Sequence, residues 1–145
     1  MPHIVIDLDP PQTDAPSFDG ETADLVYFLS WAFSMRYGAS HDLSIAALVM
    51  RTEYKIDLAP LLTFADRNVE DPADEEALAR AWQDAAPLAE CCGRVAEALG
   101  GNETRLVALQ DEYPRLRSNI AALGRIAAWA AEQDARIRVT YELDD

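Results

Sequence analysis

The sequence predicts an α+β domain, mainly helical, in which a long antiparallel helical hairpin and additional helices pack on one face of a small two- or three-stranded sheet formed by the chain termini. Three observations support this. Both ends of the chain alternate apolar and polar residues with period two, the signature of strands with one wet face. Two long stretches in the second half repeat their apolar residues in alternating steps of three and four, which is heptad spacing. Between them, Gly100-Gly101-Asn102 supplies a left-handed C-cap followed by a new N-cap, so the two helices should fold back on one another.

Taken in chain order, the first strand sets Ile4, Ile6 and Leu8 against Val5, Asp7 and Asp9. A first helix should start near Asp19 or Glu21, run through Leu25, Phe28, Leu29, Ala32, Phe33 and Met35, and stop at Gly38. Tyr27 and Trp31 lie one turn apart on another of its faces, so the helix is apolar nearly all round and belongs in a central position. Residues 43 to 50 fit helix or strand. From Arg51 the alternation of Thr52, Tyr54, Ile56 and Leu58 with Glu53, Lys55 and Asp57 suggests a middle strand. A shorter helix over Leu58 to Arg67, capped by Asp57 and tolerating Pro60 in its first turn, should follow.

Asn68 to Asp71 reads as a loop, and Asp71-Pro72 opens the next helix with Asp74, Glu75 and Glu76 at the positive end of its dipole. The first heptad stretch is Leu78, Ala81, Ala85, Leu88, Cys92, Val95 and Leu99; the second is Leu106, Leu109, Tyr113, Leu116, Ile120, Leu123, Ala127 and Ala130. A regular hairpin centred on Gly101 would place Pro87 and Pro114 at one height, opening a matched bend or a shallow notch there. The last strand sets Ile137, Val139, Tyr141 and Leu143 against Arg138, Thr140, Glu142 and Asp144.

A length of 145 residues suits one domain with a real core, so residues 1–145 are expected to form a single acidic globular unit. The start, Met1-Pro2-His3-Ile4-Val5-Ile6-Asp7, lacks the basic region and long apolar stretch of a secretory signal, which points to the cytoplasm. The charge-free run from Leu25 to Met35 is far shorter than the roughly 20 apolar residues that cross a bilayer. Cys91 and Cys92 are neighbours, which rules out a disulfide framework and leaves two small hydrophobes.

Net charge is −14 and unevenly spread: residues 1 to 103 hold nineteen acidic and six basic side chains, whereas residues 104 to 138 hold six Arg against four acids. Nucleic acid and anionic membrane are therefore disfavoured as partners, since both need a concentrated basic surface. A protein partner, or a second copy of the chain in a homodimer built through the long helices or a sheet edge, is the better expectation.

Ile4-Val5-Ile6-Asp7-Leu8-Asp9 resembles the opening motif of haloacid-dehalogenase-type phosphotransferases, in which an apolar strand ends in two aspartates. That resemblance implies Asp7 as a nucleophile, with Asp7 and Asp9 together holding magnesium. Pro10-Pro11 follows where that family turns tightly into more parallel sheet, and the alternating βα units of its core are missing. On the other reading, Asp7 and Asp9 are the wet side of a terminal strand. Asp14, Asp19 and Glu21 add carboxylates to the following loop without the order of a calcium-binding hand, which suits a solvated linker.

Only His3 and His41 occur, so a histidine-rich metal site is impossible. Ser40-His41-Asp42 are sequence neighbours rather than a triad, and a helix start capped by Ser40 explains them. Gly100-Gly101 is a cap and not a phosphate loop, so no nucleotide cofactor is expected. Tyr27, Phe28, Trp31, Phe33, Trp82 and Trp129 suit a core or a pocket lining. With no catalytic constellation legible, the expectation is a non-catalytic acidic interaction or regulatory domain of a cytoplasmic bacterial-type protein. Nuclease immunity proteins, which neutralise basic toxins, are similar in charge and size. The alternative is a magnesium-dependent phosphotransferase or hydrolase, or a small-ligand binder, that uses Asp7 and Asp9.

Overall fold

Period-two alternation at the two chain ends becomes the two long strands of the sheet, β1 (His3–Asp9) and β4 (Arg136–Glu142), which pair antiparallel from His3↔Glu142 to Asp9↔Arg136. The computed structural model describes residues 1–143, without the side chains of Arg36 and Tyr37; Asp144, expected at the end of the last strand, lies outside the described residues. Between the two strands come α1 (Ala23–Phe33), a 3-10 turn (Ser34–Tyr37), α2 (Asp42–Thr52), β2 (Phe64–Asp66), α3 (Pro72–Arg80), β3 (Trp82–Asp84), α4 (Ala85–Leu99), α5 (Thr104–Glu112) and α6 (Leu116–Glu132).

The architecture is α+β as expected, with a sheet that is mixed and one strand larger than anticipated. β4 is its centre. β1 covers one edge of β4, while the three-residue strands β2, parallel, and β3, antiparallel, share the other edge end to end. Ile4, Ile137 and Val139 turn one face of this sheet into the core. There α4 and α6 pack as the principal helical pair: Leu88, Cys92, Val95 and Leu99 are buried with Leu116, Ile120, Leu123 and Ala127. The axes come close because Gly124 has no side chain; a Cβ there would lie 3.0 Å from the Cβ of Cys92.

Both heptad stretches are broken, and proline explains each break. Pro87 lies in the first turn of α4. A helix running unbroken through Leu78 to Leu99 would drive its ring into the carbonyl of Gln83, so the chain leaves the helix over Trp82–Asp84 and uses those residues as β3. Pro114 forces Tyr113 out of helical geometry (φ −128°, ψ 70°), which ends α5 at Glu112. Consequently α5 becomes part of the connection, and α4 meets α6 in a hairpin centred well beyond Gly101. Gly124 sits against Cys92, and Arg117 Nε donates to Ala96 O at 3.0 Å. Pro87 and Pro114 therefore do not face each other.

Three other expectations change. Residues 43 to 50 are helical, and the helix extends through Thr52, so no strand starts at Arg51; Lys55 takes φ 57° and Ile56 N–H donates to Met50 O, closing that end. Ile56 and Leu58 are buried from an irregular segment, which is what mimicked a strand. No helix forms over Leu58 to Arg67: Asp57 Oδ1 accepts from Ala59 N–H and one turn follows before β2. Finally, α2 is capped by His41, whose Nδ1 accepts from Leu43 N–H at 3.1 Å, rather than by Ser40.

Candidate functional site

Asp7 and Arg138 stand opposite each other on the polar face of the sheet, because β1 and β4 pair them directly. Asp7 Oδ2 accepts from Arg67 Nη1 at 2.7 Å and from Arg138 Nε at 3.0 Å. Thr140, fully buried, accepts from Arg67 Nη1 at 3.0 Å and donates to Val5 O at 2.7 Å. The Arg138 guanidinium lies 4.6 Å from the centre of the Trp82 ring and reaches Leu78 O. Asp7 thus ties β1 to β4 and to the chain just after β2. Two guanidinium groups on one carboxylate oxygen neutralise the charge a hard cation would need, so this geometry favours a fastening role for Asp7.

Asp9 is exposed at the end of β1. Among the described residues, no group of three His, Cys, Asp or Glu side chains is placed to hold a metal ion. Cys91 and Cys92 are both buried; burial pushes the Cys91 thiol up to about 11 and raises the Cys92 thiol further. Neither has the lowered pKa of a reactive thiol.

α1 is less enclosed than its composition suggests. Phe28 is in the core, but Tyr27 and Trp31 are each 42% exposed. His41 stacks on Trp31 with ring centres 4.0 Å apart and planes 3° from parallel, and Ser44 Oγ donates to Trp31 O at 2.8 Å, holding the start of α2 against α1. Carboxylates act on Tyr113: burial first, then the fields of Glu112, Asp42 and Asp24, raise its phenol above the usual range. Asp24 also accepts from Arg115 N–H at 2.9 Å, fixing the approach to α6. Of the other aromatic side chains, Phe33 meets Phe64 edge-on at 6.0 Å, Trp82 backs Arg138, and Trp129 is half-buried.

Two concavities matter. One, of about 440 Å³, lies where Pro114 separates α5 from α6 and faces Leu99 and Ala96 rather than Pro87. Its polar arms are already engaged, Gln110 Nε2 donating to Leu99 O at 2.6 Å and Arg117 to Ala96 O. The other, of about 500 Å³, runs beside β1 under the segment Pro11 to Phe18. That segment, expected to be a solvated linker, forms a wall. The sequence showed Asp7 but not its partners, and showed the aromatic residues of α1 but not that they face outward; Ser40, Asp14 and Glu21 do not converge with Asp7 in any hydrogen bond or ion pair among the described residues.

Comparison of the chain with protein-family models, with curated proteins and with solved structures finds no match.

Proposed function

We propose that this chain is a non-catalytic, acidic interaction or regulatory domain working in the cytoplasm, and that it holds a basic protein partner on the surface around Trp31. The observation that carries this reading is the exposure of Tyr27 and Trp31 on α1, Trp31 stacked on His41, with Asp24 in the first turn of α1 and Asp42 in the first turn of α2. Trp and Tyr supply large contact area at small entropic cost, which is why they dominate the energetics of protein interfaces. A Lys or Arg laid on such a ring gains from the ring quadrupole and from the carboxylates at once. Net charge of −14 would speed the approach of a basic partner over long range.

A dimer through the long helices is less well supported, because the heptad residues of α4 and α6 are buried in the chain's own core. The test is affinity capture from the source cells with the parent chain and with Trp31→Ser as baits. One basic protein recovered near stoichiometry by the parent and lost by the variant, whose circular dichroism stays that of the parent, is the expected outcome. A partner retained by Trp31→Ser, or no stoichiometric partner at all, would contradict the reading.

A further inference from the structure

The geometry of the outer edge of β1 points to a second site, an inference that rests on the reading of the chain as an interaction domain but not on the Trp31 patch. In an antiparallel ladder, alternate residues turn their N–H and C=O toward the neighbouring strand and the rest turn them away. Ile4 N–H donates to Thr22 Oγ1 at 2.8 Å, outside the ladder, while Val5 O accepts from the Thr140 hydroxyl on β4. These bonds set the parity: Val5 and Asp7 address β4, and Ile4, Ile6 and Leu8 address the open side. Thr22 engages the Ile4 donor; among the described residues, no hydrogen bond outside the ladder engages the N–H of Ile6 or Leu8.

The cavity of about 500 Å³ lies along that edge, bordered by every residue from Ile4 to Leu8 and by Pro16, Phe18 and Ile126. Side chains alternate across a strand, so five consecutive residues can border one cavity only where it follows the backbone. Its size falls in the range of about 300–1,000 Å³ typical of ligand sites. Its length, four steps of roughly 3.3 Å, matches a peptide of about four extended residues. Donors and acceptors in alternation along a trough of mixed polarity are what another peptide backbone complements. The charge around the groove selects the side chains: the chain has no Lys or Arg before Arg36, and Asp9, Asp14 and Asp19, which do not line the cavity, are exposed in or beside the Pro11 to Phe18 segment that walls it.

We propose that this groove binds an extended segment of a partner protein, which adds to β1 as a further strand and carries Lys or Arg beside an apolar residue. The test titrates the isotopically labelled full chain with the capped peptide Lys-Val-Lys-Val-Lys-Val, its backbone N-methylated form, and the Glu-Val counterpart, following backbone amides by NMR. The expected result is a set of shifts at Ile6, Leu8, Gln12, Ala15 and Ser17, with about tenfold weaker binding for each control peptide. Ala15→Trp, which fills the groove from a loop position, should remove the shifts; the N-methylated peptide makes the same point without altering the protein. Equal binding of the N-methylated peptide, no shifts at millimolar peptide, or concentration-dependent shifts at Ile6 and Leu8 with a sedimenting dimer would each overturn the proposal. Shifts confined to Tyr27 and Trp31 would overturn it and leave the Trp31 reading standing.

Discussion

The two margins of the sheet are finished in opposite ways. Beyond β4 on one side lie β2 and β3, three residues each and of opposite direction, with Gln83 of β3 donating to Pro60 O and Thr63 O of the preceding segment. Short strands and a tethered loop leave little for another chain to pair with. On the other side, five residues of β1, Ile4 to Leu8, border a trough, and among the described residues only Ile4 has its outward donor engaged outside the ladder. One margin is closed by the chain's own segments; the other is the one at which the proposed partner strand would add. In a fold whose polar face is fastened by Asp7, the β1 margin is the place to look for binding.

The largest expected effect is on the fastening common to both margins. Asp7→Ala would leave Arg67 and Arg138 without their carboxylate. Side chains 20% to 30% exposed recover part of that loss from water, so the cost should be about 2–3 kcal/mol, measured by urea unfolding. Asp9→Ala, two residues along the same face and exposed, should change stability by less than about 0.5 kcal/mol.

Next in size is an alkaline effect on the closed margin. The loop before β2 sits on Cys91, whose Sγ lies 3.4 Å from Asp57 O and whose pKa burial raises from 9.0 to about 11. The folded chain keeps this proton when the unfolded chain has lost it. Stability from the protonated thiol is therefore complete below the unfolded value of 9.0 and is lost as pH rises through about 11. Burial, then the field of Asp66, raises Tyr141 in the same direction. Urea midpoints from pH 8 to 11 should fall, and the Cys91→Ala variant should fall less steeply. An unchanged slope in the variant would mean that Cys91 is not the titrating group.

The smallest effect compares one tether on each side. Gln83→Ala removes two half-buried hydrogen bonds and should cost about 1 kcal/mol, whereas Gln12→Ala, whose bond to Pro10 O is exposed, should cost almost nothing. Equal losses would erase the distinction between a fixed margin and an open one.

Much of this fold is legible in the sequence, and the parts that are not share a physical cause. The terminal strands and the α4–α6 pairing follow from hydrophobic period, which a chain displays without reference to distant partners. Period says nothing about where a helix must stop, so the breaks at Trp82 and Tyr113 had to come from the steric rules around Pro87 and Pro114. β2 and β3 are too short at three residues to show any alternation. Asp7 was visible as part of an Asp-Leu-Asp motif, but Arg67 and Arg138 lie 60 and 131 residues away in the chain and become its neighbours only on folding. The groove depends on β1 being an edge strand, and strand order is not written in local pattern.

Residue-resolved hydrogen exchange on the folded chain tests the open margin most directly. If β1 keeps the parity described, the amides of Val5 and Asp7, bonded to β4, should exchange at least about a hundredfold more slowly than those of Ile6 and Leu8. Equal protection of all four would mean that something in the chain already covers the edge, and the account of β1 as a free docking strand would be wrong.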